Sequence, residues 1–193
     1  CDELCNNDSI EYILVWNDEF DGSGAIDSAK WFHQTQLPNG NSWYNNEIQH
    51  YTDRLDNSYV SDGTLKIVAK KETYTDQGQT KEYTSARLNS KYAFTYGRVE
   101  VKAKLPEGVG TWPAIWMLGQ NISEPGAYWQ TQRYGTTSWP YCGEIDIMVN
   151  LSDKGDRRDY MIMIPFSECG GCPGNQHVNY GISKKSKFIS GIS

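Results

Sequence analysis

Residues 10–20 read Ile-Glu-Tyr-Ile-Leu-Val-Trp-Asn-Asp-Glu-Phe, an apolar run that gives way to polar residues and predicts a strand entering a turn. Asp21-Gly22-Ser23-Gly24 supplies the turn. After Ser61-Asp62-Gly63, the run from Thr64 to Lys70 alternates apolar and polar like a half-exposed strand. Residues 73–81 are polar around Gly78 and predict a loop or hairpin tip. Residues 83–90, 94–104 and 112–118 predict three more strands. Gly97 to Lys104 alternates cleanly until Pro106, Gly108 and Gly110 break the pattern. No long stretch carries a helical period. Short strands separated by Gly/Pro turns predict an all-β sandwich.

Residues 119–142 are rich in Gly, Ser, Thr, Gln, Tyr and Trp and have no apolar period, so a long ordered loop is expected there, a common place for function. The chain then enters Gly143-Glu-Ile-Asp-Ile-Met-Val149, an apolar, β-branched strand that carries two carboxylates. Side chains two apart share one strand face, so Glu144 and Asp146 point together while Ile145 and Ile147 point the other way. Such a pair is a poor packing device, but paired carboxylates cleave glycosidic bonds.

Composition narrows the choices. A chain of 193 residues is expected to form one domain with a sizeable core. Net charge is −6, which gives a nucleic-acid partner no electrostatic support. No apolar run is long enough to span a membrane. Seven Trp, all at or before Trp139, and thirteen Tyr fit core filling one by one, and as a set they fit a carbohydrate surface, because an aromatic face matches the apolar face of a sugar ring. After residue 149 the character changes. Residues 150–193 hold six basic and four acidic residues against twelve and twenty before them, no Trp, and one short apolar run from Tyr160 to Phe166. The finish, Lys184-Lys185-Ser186-Lys187, reads as a solvated terminus.

Five cysteines stand at 1, 5, 142, 169 and 172. Cys1-Asp2-Glu3 reads either as the acylated mature end of a lipoprotein or as a chain boundary without chemical meaning. Cys1 and Cys5 are a candidate pair that sequence alone does not decide. Cys169-Gly-Gly-Cys172 has metal-ligand spacing, but with only His177 as a further donor it reads better as an incidental loop. Arg98 and Glu100, two apart on an alternating strand, read as a surface pair. His33 and His50 read as structural. The Asn-x-Ser sequons at Asn7, Asn121 and Asn150 read as chance.

At these residues the chain resembles glycoside hydrolase family 16, in its laminarinase-like (endo-β-1,3-glucanase) branch. Glu144-Ile-Asp146-Ile-Met looks like the family's active-site strand. Trp16-Asn-Asp-Glu19-Phe-Asp-Gly22 looks like its N-terminal strand, and Trp43-Tyr-Asn-Asn46-Glu47-Ile-Gln49-His-Tyr51 like its cleft segment. Ser85-Ala-Arg87-Leu-Asn89, Tyr96-Gly-Arg98-Val-Glu100 and Gly110-Thr-Trp112-Pro-Ala-Ile-Trp116-Met-Leu118 continue the match in order, so that it covers about residues 12–148.

The resemblance implies a jelly-roll β-sandwich of two curved antiparallel sheets, incomplete at its C-terminal end, with a glucan cleft across one face. It divides the chain into an N-terminal extension over 1–11 that would serve as a tether, the sandwich over 12–148, and a tail over 149–193 without family likeness. It implies hydrolysis of internal β-1,3-glucosidic bonds with retention. Glu144 would be the nucleophile and Asp146 its helper, tuning its charge state. Asn46, Glu47, Arg87, Trp112 and Trp116 would line the cleft. No cofactor is required, and a structural calcium would use Glu19 and Gly22. The partner would be a β-glucan polysaccharide, the protein a monomer, and its location secreted or on the outer surface as a lipoprotein.

The pattern breaks at one point. The family's acid/base glutamate stands four residues after the nucleophile, or five where a bulge intervenes. The bulged form points to Val149 and the unbulged form to Met148, and neither transfers a proton. Family likeness stops at the same place. A frameshift, splice error or truncation just after Met148 explains both facts at once. The alternative is a diverged, non-catalytic β-glucan-binding protein on the same sandwich, and a plain structural β-domain is the third reading.

Overall fold

The computed structural model describes residues 12–106 and 108–149, and the backbone of 159–165 and 188–192. The expectations that concern Cys1, Cys5, Asn7, Asn150, Cys169, Cys172, His177 and the lysines at 184–187 lie outside the described residues. In chain order the strands are β1 (Trp31–His33), β2 (His50–Tyr51), β3 (Ser58–Ser61), β4 (Thr64–Ile67), β5 (Lys70–Asp76), β6 (Gln79–Ser85), β7 (Leu88–Phe94), β8 (Arg98–Lys104), β9 (Ala114–Gly119), β10 (Glu144–Val149), β11 (Asp159–Pro165) and β12 (Phe188–Ile192). The single described helix, α1 (Tyr128–Thr131), is one turn inside the 119–142 segment. The fold is an open jelly-roll sandwich, as the strand pattern and the family resemblance imply.

A five-stranded sheet in the order β1-β7-β12-β9-β10 forms one layer. Its inner face packs against β8 at one end. There Leu105, Ile115, Met117, Ile147 and Met148 are buried against Phe94, Val99, Val101, Ala103 and Ile145. The clean alternation of β8 has a direct use: Val99, Val101 and Ala103 point into this core while Arg98, Glu100, Lys102 and Lys104 face water. Arg98 and Glu100 form the expected ion pair on that outer face. At the other end the β3–β4 hairpin covers Trp31 and Leu88, with Ile26, Val60, Leu65 and Ile67 filling the gap.

Two strands are shorter than the apolar pattern predicts. The alternating stretch from Thr64 to Lys70 is interrupted after Ile67, because Asn57 captures the backbone there. Val68 N–H donates to Asn57 O at 2.8 Å, and Asn57 Nδ2 donates to Val68 O at 3.0 Å. Residues 83–90 likewise divide at Ala86–Arg87 between β6 and β7. The polar stretch 73–81 is a hairpin tip, with β5 and β6 joined at Gln77–Gly78, both at positive φ. Both strands are polar on each face, which is why no apolar alternation announces them. Of the strand expected over 10–20, residues 12–20 pair with no described strand, and Ile13, Leu14 and Val15 are exposed; Trp16, against Trp31 and Tyr92, and Phe20, against Trp31, anchor the segment.

Two strands fall in the stretch after residue 150. β11 pairs antiparallel with β8, and β12 lies between β7 and β9.

Candidate active site

The opposite face of the five-stranded sheet is built by the register of β9 and β10. Glu144 pairs with Leu118, Asp146 with Trp116, and Val149 with Ala114, whereas Ile145 pairs with Met117 and Met148 with Ile115. A bulge lies between Asp146 and Met148, so Ile147 is the extra residue. Without it, strict alternation would send Val149 into the core. With it, Ile147 and Met148 are both buried and Val149 is returned to the face of Glu144 and Asp146, 46% exposed. Val149, five residues after Glu144, is thus the next side chain on that face beyond Asp146.

Glu144 is partly buried. Its carboxylate accepts a hydrogen bond from the indole N–H of Trp139, which arrives from the long segment after β9. Burial raises the Glu144 carboxyl above its ordinary value, and the neighbouring Asp146, through its charge and a shared hydrogen bond, raises it further. The Trp139 N–H and the more distant Arg87 charge pull the other way.

The 119–142 segment is ordered by its contacts with the sheet. Ile122, Ala127 and Cys142 are buried, and Ile122 packs with Leu118, Trp116 and Trp129. Trp129 Nε1 donates to Ser90 O at 3.2 Å, and Tyr128 N–H donates to Asn89 Oδ1 at 2.9 Å. Gly126, at φ +82°, lies so close to Gln36 that a Cβ there would meet Gln36 Cβ at 2.5 Å.

The other cleft candidates divide into two groups. Trp116 is on the Glu144 face directly opposite Asp146, and Trp112, two residues before β9, is 44% exposed. Asn46 is exposed at positive φ. Glu47 turns inward, accepting from Gln49 Nε2 and Tyr51 OH, both at 2.8 Å. Burial, and then the Glu47 charge, hold the Tyr51 hydroxyl far above its ordinary value, so it stays a donor. Arg87 is 6% exposed and sits below the surface, between the rings of Trp43 and Trp116 and in an ion pair with Glu124. Trp139 and Glu124 are absent from the sequence-based candidates. The signal that could have raised Trp139 is its place in the long segment just before the Glu144 strand; Glu124 carries none, since a lone acidic residue in a polar segment reads as solvated.

The two histidines are structural. His33 Nε2 meets Ser58 Oγ at 2.6 Å and His50 Nε2 meets Gln79 O at 2.9 Å. Glu19 and Gly22, the residues that the resemblance assigns to calcium, both lie ahead of β1. Glu19 accepts from Asn17 Nδ2, the adjacent Asp18 is engaged by Trp31 Nε1, Phe20 N–H and Lys30, and the described residues contain no group of three His, Cys, Asp or Glu side chains able to hold a metal.

The family model "XgeA-like, catalytic GH16 domain" matches residues 30–161. A beta-glucanase of Rhodothermus marinus is 45% identical over 74% of this chain and 45% of its own length. A beta-1,3-glucan-binding protein of Penaeus monodon is 32% identical over 70% of this chain and 42% of its own. The chain thus spans less than half the length of either relative. Among solved structures, LamAcat from Zobellia galactanivorans has a TM-score of 0.69 at 52% identity, covering 80% of this chain and 67% of that one. No described helix is long and apolar enough to cross a membrane.

Proposed function

The chain belongs to glycoside hydrolase family 16, and from that membership we propose that its Glu144 face is a β-1,3-glucan site with a retaining nucleophile but no proton donor. The observation that carries this reading is the register of β10, which aligns Glu144, Asp146 and Val149 on one face around Trp116. Glu144, as carboxylate, attacks the anomeric carbon; the bond from that carbon to the leaving oxygen breaks, and a glycosyl ester on Glu144 forms. Asp146 raises the Glu144 carboxyl and the Trp139 N–H lowers it, so both set the fraction of Glu144 that is ionised.

Breaking a natural glucan bond releases a sugar alkoxide, which must take a proton as it leaves. Val149 has none to give, and the loss of a positioned general acid costs ~10²–10⁴-fold in rate. The same position would deprotonate the water that hydrolyses the ester, so the second step is slowed as well. The chain is accordingly a glucan binder with a reactive but impaired catalytic centre. A polymeric substrate favours a location outside the cell, secreted or tethered.

An aryl laminaribioside with an activated leaving group departs as a stable phenolate and needs no acid. It should give one rapid equivalent of phenolate and a covalent adduct on Glu144 visible by mass spectrometry, both lost in Glu144→Gln. Laminarin binding without any adduct would instead favour the second reading, a purely non-catalytic glucan-binding protein, which the resemblance to the Penaeus monodon protein supports.

A further inference from the structure

A charged layer lies directly beneath Trp116 that the proposed chemistry does not use. Arg87 Nη2 is 3.1 Å from Glu124 Oε1 and 3.4 Å from Oε2, and Arg87 Nε donates to Gln34 Oε1 at 3.1 Å. The guanidinium carbon is 4.7 Å from the centroid of Trp116 and 5.3 Å from that of Trp43. Gln34 Oε1 also accepts from Asn89 Nδ2 at 3.1 Å, which joins the layer to β7. Arg87 is 6% and Glu124 4% exposed.

A buried ion pair is a weak device for stability, because desolvation of two charges offsets most of their attraction, and an apolar pair of similar volume packs as well. Its geometry is what an apolar pair would not reproduce. A guanidinium is flat, stacks on aromatic faces, and is fixed in its plane by a carboxylate. Glu124 is contributed by the segment that also carries Trp139, whereas Arg87 immediately precedes β7.

We propose that Glu124 is a positioning residue of the glucan cleft: by holding Arg87 flat between Trp43 and Trp116 it fixes the Trp116 ring as a sugar platform and ties the 119–142 segment to the cleft floor. This rests on the assignment of the Trp116 face as the glucan site. The Arg87 side chain is then an internal support and not a direct ligand of the sugar.

The test measures laminarihexaose binding by calorimetry, together with near-ultraviolet tryptophan circular dichroism and thermal melting, on the full chain. The variants are Glu124→Gln, the charge-free pair Arg87→Met with Glu124→Leu, and Trp116→Ala. Positioning by Glu124 predicts roughly tenfold weaker binding in Glu124→Gln, with an altered tryptophan signal. It predicts the same loss in the charge-free pair, although that pair melts within a few degrees of the parent. Parent-like affinity in a folded charge-free pair, with Trp116→Ala weakened, overturns the positioning role alone. If the charge-free pair does not fold, parent-like affinity and tryptophan signal in Glu124→Gln overturn it equally. A parent that does not bind, or a Trp116→Ala that binds as the parent does, overturns the glucan-site assignment and this inference with it.

Discussion

Val149 stands opposite Ala114, one bulge beyond Asp146 and on the same face as Glu144. Two small side chains therefore border the place where a proton donor would work, and a longer side chain at 149 has room to extend from a half-exposed site. Val149→Glu should raise laminarin hydrolysis by ~10²–10⁴-fold, measured as reducing-sugar release. An unchanged rate would mean that more than the missing acid limits the reaction.

Trp139 reports on the charge of Glu144. Its N–H stabilises the carboxylate, so Trp139→Phe should raise the Glu144 carboxyl further from its ordinary value. Only ionised Glu144 attacks, so the acidic limb of the burst rate with an activated aryl laminaribioside should move to higher pH. A limb that stays in place would show that the hydrogen bond does not act on the nucleophile.

Glu144 also makes a pH-dependent contribution to stability. A carboxyl raised in the folded state favours folding while protonated, at pH below its ordinary value near 4.5, and loses that contribution as pH rises through its elevated titration. Glu144→Gln should therefore melt higher than the parent at pH 7, by roughly 1–2 °C for a partly solvated group. The difference should close as pH falls to about 4. A difference of the same size at both pH values would refute this sign.

Asn57 is wholly buried and makes four side-chain hydrogen bonds. Its Oδ1 accepts from Thr52 Oγ1 at 2.5 Å and Arg54 Nη2 at 3.0 Å, and its Nδ2 donates to Val68 O at 3.0 Å and Thr84 Oγ1 at 2.9 Å. Asn57→Ala would leave several of these groups unpaired, at a cost of about 3 kcal/mol. The melting temperature should fall by roughly 6–12 °C. Because this cluster joins β6 to the β3–β4 hairpin rather than to the Glu144 face, the adduct chemistry should persist below the new melting point.

Much of the Glu144 face is legible in the chain because it depends on local periodicity. Glu144 and Asp146 are two apart, β8 alternates without a fault, and a five-residue offset marks the bulged position. What is not legible depends on partners distant in sequence. The Thr64–Lys70 pattern gives no sign that Asn57 will seize Val68. The apolar run at 13–15 meets the strand pattern, yet no described strand pairs with it. Arg87 looks like a cleft residue until Glu124, Trp43 and Trp116 close around it. Burial of a charge is decided by what folds over it, and an isolated Arg does not announce that.

The bulge at Ile147 lets two positions five apart in sequence, Glu144 and Val149, share one face of β10. Deleting Ile147 would leave a regular ladder, with Met148 still inside and Val149 still outside, whereas flattening the bulge with every residue kept would turn Met148 outward and drive Val149 into the core. The side of the sheet on which residue 149 stands is thus set by whether the extra residue is absorbed as a bulge, and a strand of unchanged length could present either face.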